Sequence, residues 1–180
     1  MIVIGIDLAG KEKNPTGLCI VNGETTIETV YHDEDIKRRV FSFDAKDTII
    51  AIDAPLIKGG IAKIRDVDKR LKKYGTMPPV MKGMKDLVRR AFRLKEEFER
   101  KGYTVIEVFP TATSKILGVY DRDYKKVANA LGIKVKNKHE LDAYLCALTG
   151  KFFLKGEAVE VGDEDGKIVI PVKGEKHGLD

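Results

Sequence analysis

Two short apolar runs, each ending in an aspartate, most constrain how this 180-residue chain can fold. One run covers Met1 to Leu8 and contains Asp7, and the other covers Thr48 to Ile52 and is closed by Asp53. Continuous apolar runs of this length predict strands that are buried on both faces of a sheet. A charged side chain at the end of such a strand is costly unless something compensates its charge, so both aspartates are candidate functional residues.

The segment between the two runs predicts a small antiparallel meander followed by a helix. Thr16 to Val21 and Thr25 to Tyr31 have strand patterns, and Asn22-Gly23 between them is a strong hairpin signal. Asp33 to Ser42 has the pattern of a short helix. Together with the first apolar run, these segments predict three antiparallel strands and one helix, all of which precede the second apolar run.

Beyond Asp53 the predicted strands alternate with helices. The clearest helical periodicity spans Gly83 to Lys101, and a fifth strand follows at Tyr103 to Val108. A strand–helix–strand unit favours parallel pairing through a right-handed crossover. The predicted fold class is α/β, with a mixed five-stranded sheet and helices on both faces. Three further helices are predicted at residues 111–117, 123–131 and 138–149.

Two additions to this sheet are predicted within a single domain of residues 1–180. Residues 57–82 form a basic helical insertion with a helix candidate from Ile64 to Lys73. Residues 157–172 form a C-terminal hairpin with its turn at Gly162 to Gly166. The hairpin has two open roles, which are to cover the sheet or to pair with a second subunit in a homodimer.

Composition excludes several classes of protein. Hydrophobic residues make up 43% of the chain, charged residues make up 34%, and the net charge is only +5. These values exclude a disordered chain, a collagen-like chain and a disulfide mini-protein. Cys19 and Cys146 lie far apart in apolar surroundings, which favours free buried thiols.

The same sequence predicts a cytoplasmic protein with no membrane partner. No stretch approaches the roughly 18 apolar residues that a membrane helix needs, and the first residues have no signal-peptide pattern. The absence of Gln and the abundance of Lys and Glu are typical of a thermophile.

Two further carboxylates stand in apolar segments. Glu107 lies in the fifth predicted strand, and Asp142 lies on a helix among apolar or small residues. His139 stands three positions before Asp142, so the two share a helix face. If the first and fourth strands are parallel neighbours, Asp7 and Asp53 meet at the carboxyl edge, where open α/β sheets bind ligands.

A cluster of carboxylates at one edge would hold a hard divalent cation, which neutralises their repulsion. We expect Asp7, Asp53 and Asp142 to bind metal, with Glu107 as an additional ligand and His139 as a ligand or general base. Each carboxylate also has a structural alternative. Asp7 could cap a turn, and Asp53 could form an Asx turn. Glu107 could pair with an arginine of the long helix, and Asp142 could be a half-exposed helix acid.

Basic residues are concentrated in one part of the chain. The segment from Lys58 to Gly102 contains 15 Lys or Arg and six Asp or Glu, a net charge of +9. A basic stripe beside an acidic, metal-binding edge suits a polyphosphate such as a nucleic acid. The alternative is the solvated surface of a thermophilic protein. Four side chains are expected to contact phosphates, namely Arg65, Arg70, Lys82 and Arg89.

Several blocks of this sequence resemble the domain-of-unknown-function family 429. The blocks are Ile4 to Gly10 with Thr16-Gly17, Ile50 to Leu56, Gly83-Met84-Lys85, Ile106 to Thr113 and the closing Gly162 to Pro171. Members of this family are uncharacterised prokaryotic proteins predicted to be nucleases with the ribonuclease H fold. The resemblance therefore implies a ribonuclease H-like fold for this chain.

The wider superfamily implies roles for individual residues. In Holliday-junction resolvases of this fold, an Asp lies on the first strand, an acid ends the fourth, and a His or Asp precedes an Asp by three positions on the last helix. Asp7, Asp53 and His139-x-x-Asp142 resemble that arrangement. Glu107 has no standard counterpart there, and the basic insertion is not shared with the resolvases.

The carboxylates and the resemblance together imply a metal-dependent nuclease that uses two Mg²⁺ or Mn²⁺ ions. The ions would lie ~4 Å apart, bridged by Asp7 and flanked by Asp53 and Asp142. One ion would activate water and the other would stabilise the leaving 3′-oxygen, while His139 would orient or deprotonate the water. The choice among RNA, DNA and branched substrates stays open.

Two other functions also stay open. A non-catalytic nucleic-acid-binding module would use the same basic segment, although few aromatics are available for stacking on single strands. An actin-like nucleotide-binding phosphotransferase is suggested by Gly5 to Gly10, which resemble the phosphate loop of such proteins. Those proteins normally need two such domains, and 180 residues leave room for one.

Overall fold

The computed structural model describes residues 1–172 of the chain. Its centre is a five-stranded sheet in the order β3-β2-β1-β4-β5. The second strand runs antiparallel to both of its neighbours, whereas the first, fourth and fifth strands are parallel. This order and these directions confirm the predicted mixed five-stranded sheet of an α/β fold. The strands are β1 (Ile2–Asp7), β2 (Thr16–Val21), β3 (Thr25–Val30), β4 (Thr48–Asp53) and β5 (Thr104–Glu107).

Helices cover both faces of the sheet, as the sequence predicts. On one face, the side chains of Ile36, Leu94 and Phe98 pack against the central strands. On the other face, Ala143 and Ala147 of the last helix pack against the first two strands. The helices are α1 (Asp33–Val40), α2 (Asp66–Arg70), α3 (Met84–Arg100), α4 (Pro110–Ile116), α5 (Tyr124–Ala130) and α6 (Lys138–Leu154).

Two helices differ from their predicted lengths. α6 continues past Thr149, because Gly150 is a packing residue against Val3 and not a helix stop. In the insertion, α2 is shorter than predicted, since Arg65 before it has an extended backbone. A separate 3₁₀ turn, Lys72–Tyr74, follows it and ends at the left-handed Gly75.

The C-terminal hairpin packs on its own chain. It consists of β6 (Ala158–Asp163) and β7 (Gly166–Pro171), which pair antiparallel. Val169 forms a parallel bridge with Val108 after β5, and Ile168 and Ile170 pack on Val67 of α2. The hairpin therefore packs beside β5 and supports α2 of the insertion.

Two smaller expectations concern the cysteines and the membrane. Cys19 and Cys146 are free and buried, as predicted. Among residues 1–172, none of the helices combines the length and the apolar character that crossing a membrane requires.

Candidate active site

Asp7 and Asp53 are the last residues of two adjacent parallel strands, and they lie directly opposite each other in register. Alternate residues of a strand point to opposite faces of the sheet. Val3 and Ala51, which stand at even spacing from the two aspartates, belong to the α6 side of the core. Both carboxylates therefore project toward α6 from the carboxyl edge, as the sequence predicts.

Two glycines allow α6 to approach the sheet closely enough to complete this site. A Cβ on Gly5 would stand 2.1 Å from a backbone oxygen of α6, and one on Gly17 would stand 1.9 Å from the carbonyl oxygen of His139. Gly17 is also the register partner of Asp7. Because these two positions have no side chains, the start of α6 packs close to the end of β1. His139 and Asp142 then lie near Asp7.

His139 contacts Asp7 directly. Its Nδ1 lies 2.8 Å from Oδ2 of Asp7, and its side chain is 45% exposed. The hydrogen bond to Asp7 raises the pKa of His139, against the opposing effect of partial burial. The imidazole therefore contacts the Asp7 carboxylate on one side and solvent on the other.

Asp142 forms an ion pair with Lys138, one helical turn before it on α6. The Asp142 side chain is 12% exposed, whereas that of Lys138 is 63% exposed. Burial raises the pKa of Asp142, and the Lys138 ammonium partly offsets this. Burial alone would lower the pKa of Lys138, but Asp142, Asp7 and Asp53 raise it. The sequence pattern did not identify Lys138 as a residue of this site.

The carboxyl of Asp53 has the most unfavourable surroundings in the site. Burial raises its pKa well above the usual value, and Asp7, Asp142 and Glu107 raise it further by repulsion. Lys138 is the cation that opposes them. Repulsion of this kind at Asp53 favours either a bound proton or a bound cation.

The candidate ligands do not yet form a ready-made metal site. Within residues 1–172, no three His, Cys, Asp or Glu side chains are grouped so that they could hold a metal ion. Two of the candidate carboxylates have protein partners instead, since the Asp7 carboxylate bonds His139 and the Asp142 carboxylate pairs with Lys138. The donor set nevertheless consists of carboxylate oxygens and an imidazole, which suit Mg²⁺ or Mn²⁺.

The structure does not support the prediction that Glu107 is a metal ligand, because its carboxylate is bonded to protein groups. Glu107 is opposite Ile52 in register, one residue before Asp53, and Ile52 packs on the α1 and α3 side of the sheet. A shift of one residue turns a side chain to the other face. Its two oxygens accept hydrogen bonds from Arg65 at 2.7 and 2.8 Å, and the Leu56 N–H donates at 2.8 Å.

The prediction that Arg65 contacts phosphate is also wrong. Its side chain is 1% exposed, and its guanidinium donates to both Glu107 and Asp68. The predicted alternative for Glu107, an arginine partner, is realised, but the arginine comes from the insertion and not from the long helix. Arg65 therefore anchors the insertion to the end of β5.

The remaining predicted phosphate contacts are on the surface. Arg70 and Arg89 have side chains that are 60% and 69% exposed, and Lys82 is exposed as well. Arg70 forms an ion pair with Asp66 on the same helix. None of these three side chains lines the cavity of about 210 Å³ beside the aspartates, although neighbouring residues of their segments do. Its lining includes Asp7, Asp53, Arg65, Met77, Leu87 and Glu107.

One buried cation of the basic segment was not predicted. The Arg90 side chain is 2% exposed and donates to the carbonyl oxygens of Ala9 and Tyr31 and to Asp33. It connects α3 with the turn after β1 and the start of α1. Its positive charge is paired with groups inside the protein, so it does not contribute to a binding surface.

Comparison with known proteins leaves the family resemblance as a prediction. No family model matches the chain, and no curated protein matches it. Among solved structures, the chain is similar to T. thermophilus RuvC in complex with a Holliday junction substrate. The identity is 19% and the TM-score is 0.46, over 87% of this chain and 96% of that chain. The function therefore has to be inferred from the residues of the site.

Proposed function

We propose that this protein is a metal-dependent nuclease that hydrolyses phosphodiester bonds of a nucleic acid. The observation that supports the proposal is the pairing of Asp7 and Asp53 at the carboxyl edge of β1 and β4, faced by His139 and Asp142 of α6. Carboxylates are costly in such buried positions unless a cation compensates them. Their convergence from three elements is therefore best explained by a shared ligand.

Asp7, Asp53 and Asp142 would hold Mg²⁺ or Mn²⁺ in this proposal. When bound, divalent cations neutralise a phosphodiester and lower the pKa of coordinated water. His139 is half-exposed at the rim of the same edge. It would orient the attacking water or accept its proton once the bond to Asp7 is released.

Exposed cations of the basic segment would position the nucleic acid. Arg70, Lys82 and Arg89 would contact phosphates, which fixes the position of the polymer without reading its sequence. Arg65 takes no part in this contact, because it is buried in its ion pairs.

The test is a cleavage assay with labelled RNA, DNA, hybrid and branched substrates in Mg²⁺ or Mn²⁺. We expect cleavage of at least one substrate and its loss by about a hundredfold or more in Asp7→Asn and Asp142→Asn. Asp47→Asn is the matched control, since Asp47 is exposed just before β4, at the opposite edge of the sheet. Its activity should equal that of the wild type.

The same assay separates the alternatives. Binding of nucleic acid without cleavage in any metal would favour the non-catalytic module. ATP binding or phosphate transfer without nucleic-acid cleavage would favour the actin-like phosphotransferase. Cleavage that survives both Asp7→Asn and Asp142→Asn would place the chemistry elsewhere and contradict the proposal.

A further inference from the structure

Lys138 occupies a position that ordinary helix preferences do not explain. It is the first residue of α6, where the helix dipole favours an anion and disfavours a cation. Its ammonium nevertheless lies against the Asp142 carboxylate, in the electrostatic field of Asp7 and Asp53. The Asp142 carboxylate therefore holds this cation beside the candidate site.

We propose that the Lys138 ammonium is an internal counter-ion of the metal-free site and that the first divalent cation displaces it. This inference rests on the proposed function, because it concerns the same carboxylates. It assigns Lys138 a role that neither the sequence pattern nor the resemblance provides.

The exposure of the two partners supports displacement. The Asp142 side chain is 12% exposed and is carried by a helix that is buried against the sheet, whereas the Lys138 side chain is 63% exposed. A lysine ammonium sits on a flexible four-carbon stem and is strongly hydrated when released. It can therefore swing into solvent while the carboxylates stay where they are.

Displacement has a consequence for affinity. A metal ion that enters the site must first replace an existing ion pair, so the free protein should bind metal more weakly than its acidic cluster would otherwise allow. A phosphate backbone would offer the released ammonium a new partner. Metal and nucleic acid should then strengthen each other's binding to the same extent, as linkage requires.

The first experiment measures Mn²⁺ binding by calorimetry in the absence of nucleic acid. Lys138→Met removes the competing charge and keeps the length of the side chain, so its Mn²⁺ dissociation constant should fall roughly tenfold. Lys138→Arg keeps a cation and should bind Mn²⁺ about as weakly as the wild type. Lys134→Met is the matched control, because Lys134 is an exposed lysine before α6, and it should leave the affinity unchanged.

A melting experiment gives a second readout that needs no activity. In EDTA, Lys138→Met should melt below the wild type, since the carboxylates lose their compensating charge. With Mn²⁺ present, the same variant should gain more in melting temperature than the wild type gains.

The outcomes distinguish this inference from the proposed function. Equal or weaker Mn²⁺ binding by Lys138→Met, with normal binding by the wild type, would overturn the counter-ion role and leave the nuclease proposal standing. If neither the wild type nor any variant binds Mn²⁺, both proposals are overturned together. If Lys138→Met does not fold, Lys138→Gln serves in its place with the same expectations.

Discussion

At the scale of single residues, the partly buried carboxyl of Asp53 makes the stability of the fold depend on pH. Its pKa is raised above the usual 3.8, first by burial and then by repulsion from neighbouring carboxylates. Folding therefore takes up a proton between pH 3.8 and the raised pKa, so stability falls as pH rises through that window. The raised pKa of His139 acts in the same direction, because stability that is present below 6.5 is lost as pH rises through the raised value.

We predict that Asp53→Asn stabilises the metal-free protein at neutral pH. The amide keeps the shape of the side chain and removes a repelling charge, and each kcal/mol gained should raise the melting temperature by about 2–4 °C. The measurement is the melting temperature from acid to neutral pH in EDTA. The decline with pH should be shallower in the variant than in the wild type and in the control Asp47→Asn. A lower melting temperature at every pH would show that the Asp53 carboxylate is structural.

A second prediction compares two arginines that sequence analysis treated alike. Arg65→Met leaves Glu107 and Asp68 buried without their cation, and it should lower the free energy of unfolding by about 3–5 kcal/mol. Arg70→Met breaks an exposed ion pair and should cost less than about 1 kcal/mol. Urea denaturation of both variants measures the difference. Similar losses would mean that the buried bridge between the insertion and β5 contributes no more than a surface pair.

At the scale of elements, the contact of α6 with β1 and β2 determines the geometry of the site. We predict that Gly17→Ala forces α6 away from the sheet, because the new Cβ would lie 1.9 Å from the His139 carbonyl oxygen. The expected cost is about 1–3 kcal/mol in the free energy of unfolding, together with a weaker response of the melting temperature to Mn²⁺.

Gly10→Ala is the matched control for that change. Its nearest neighbour would be 3.3 Å away, at the backbone nitrogen of Leu87, so a small shift accommodates it. Denaturation and Mn²⁺ titration of both variants provide the comparison. A Gly17→Ala protein that is as stable as the wild type and binds Mn²⁺ normally would contradict the close-approach argument.

The elements themselves were largely predictable, and so were the residues at the ends of β1 and β4. A charge at the end of an apolar strand is visible in the sequence. The parallel pairing of β1 and β4 was only a condition of the prediction, and the structure meets it. Glu107 has the same local pattern as Asp53, but its role depends on the register of β5 against β4. That register places it opposite Ile52 and on the other face, and no local pattern specifies it.

The contacts of the cations were not predictable for a related reason. Arg65 bonds Glu107 across 42 positions, and Arg90 bonds Asp33 across 57. Counting charges along the segment cannot distinguish such buried pairs from a binding surface, because burial depends on the fold of distant segments. Lys138 was missed because its ammonium comes under the influence of Asp7 and Asp53 only when α6 packs on the sheet.

At the scale of the whole molecule, the exposed part of the basic segment is predicted to carry the nucleic acid. Replacing Arg70, Lys82 and Arg89 together by Ala should weaken binding at low salt. It should also reduce the slope of log affinity against log salt by up to about 3, because each lost phosphate contact removes about 0.9. Fluorescence anisotropy over a salt series measures the slope.

The control for this prediction removes three cations at the opposite edge of the sheet. Lys46 precedes β4, and Lys151 and Lys155 lie at the C-terminal end of α6, and all three are exposed. Their triple Ala variant should keep the wild-type slope. Equal slopes for both triple variants would mean that the polymer does not follow the basic segment.

The hydrogen bond between His139 and Asp7 spans 132 positions of the chain, and this separation has a consequence during synthesis. A growing chain acquires Asp7 and Asp53 early, but it lacks α6 until most of its length has been translated. At about 5–20 residues per second, several seconds pass between the two events. Throughout that interval the nascent protein has Asp7 and Asp53 but neither His139 nor Asp142, so the candidate site becomes complete only when most of the chain has been made.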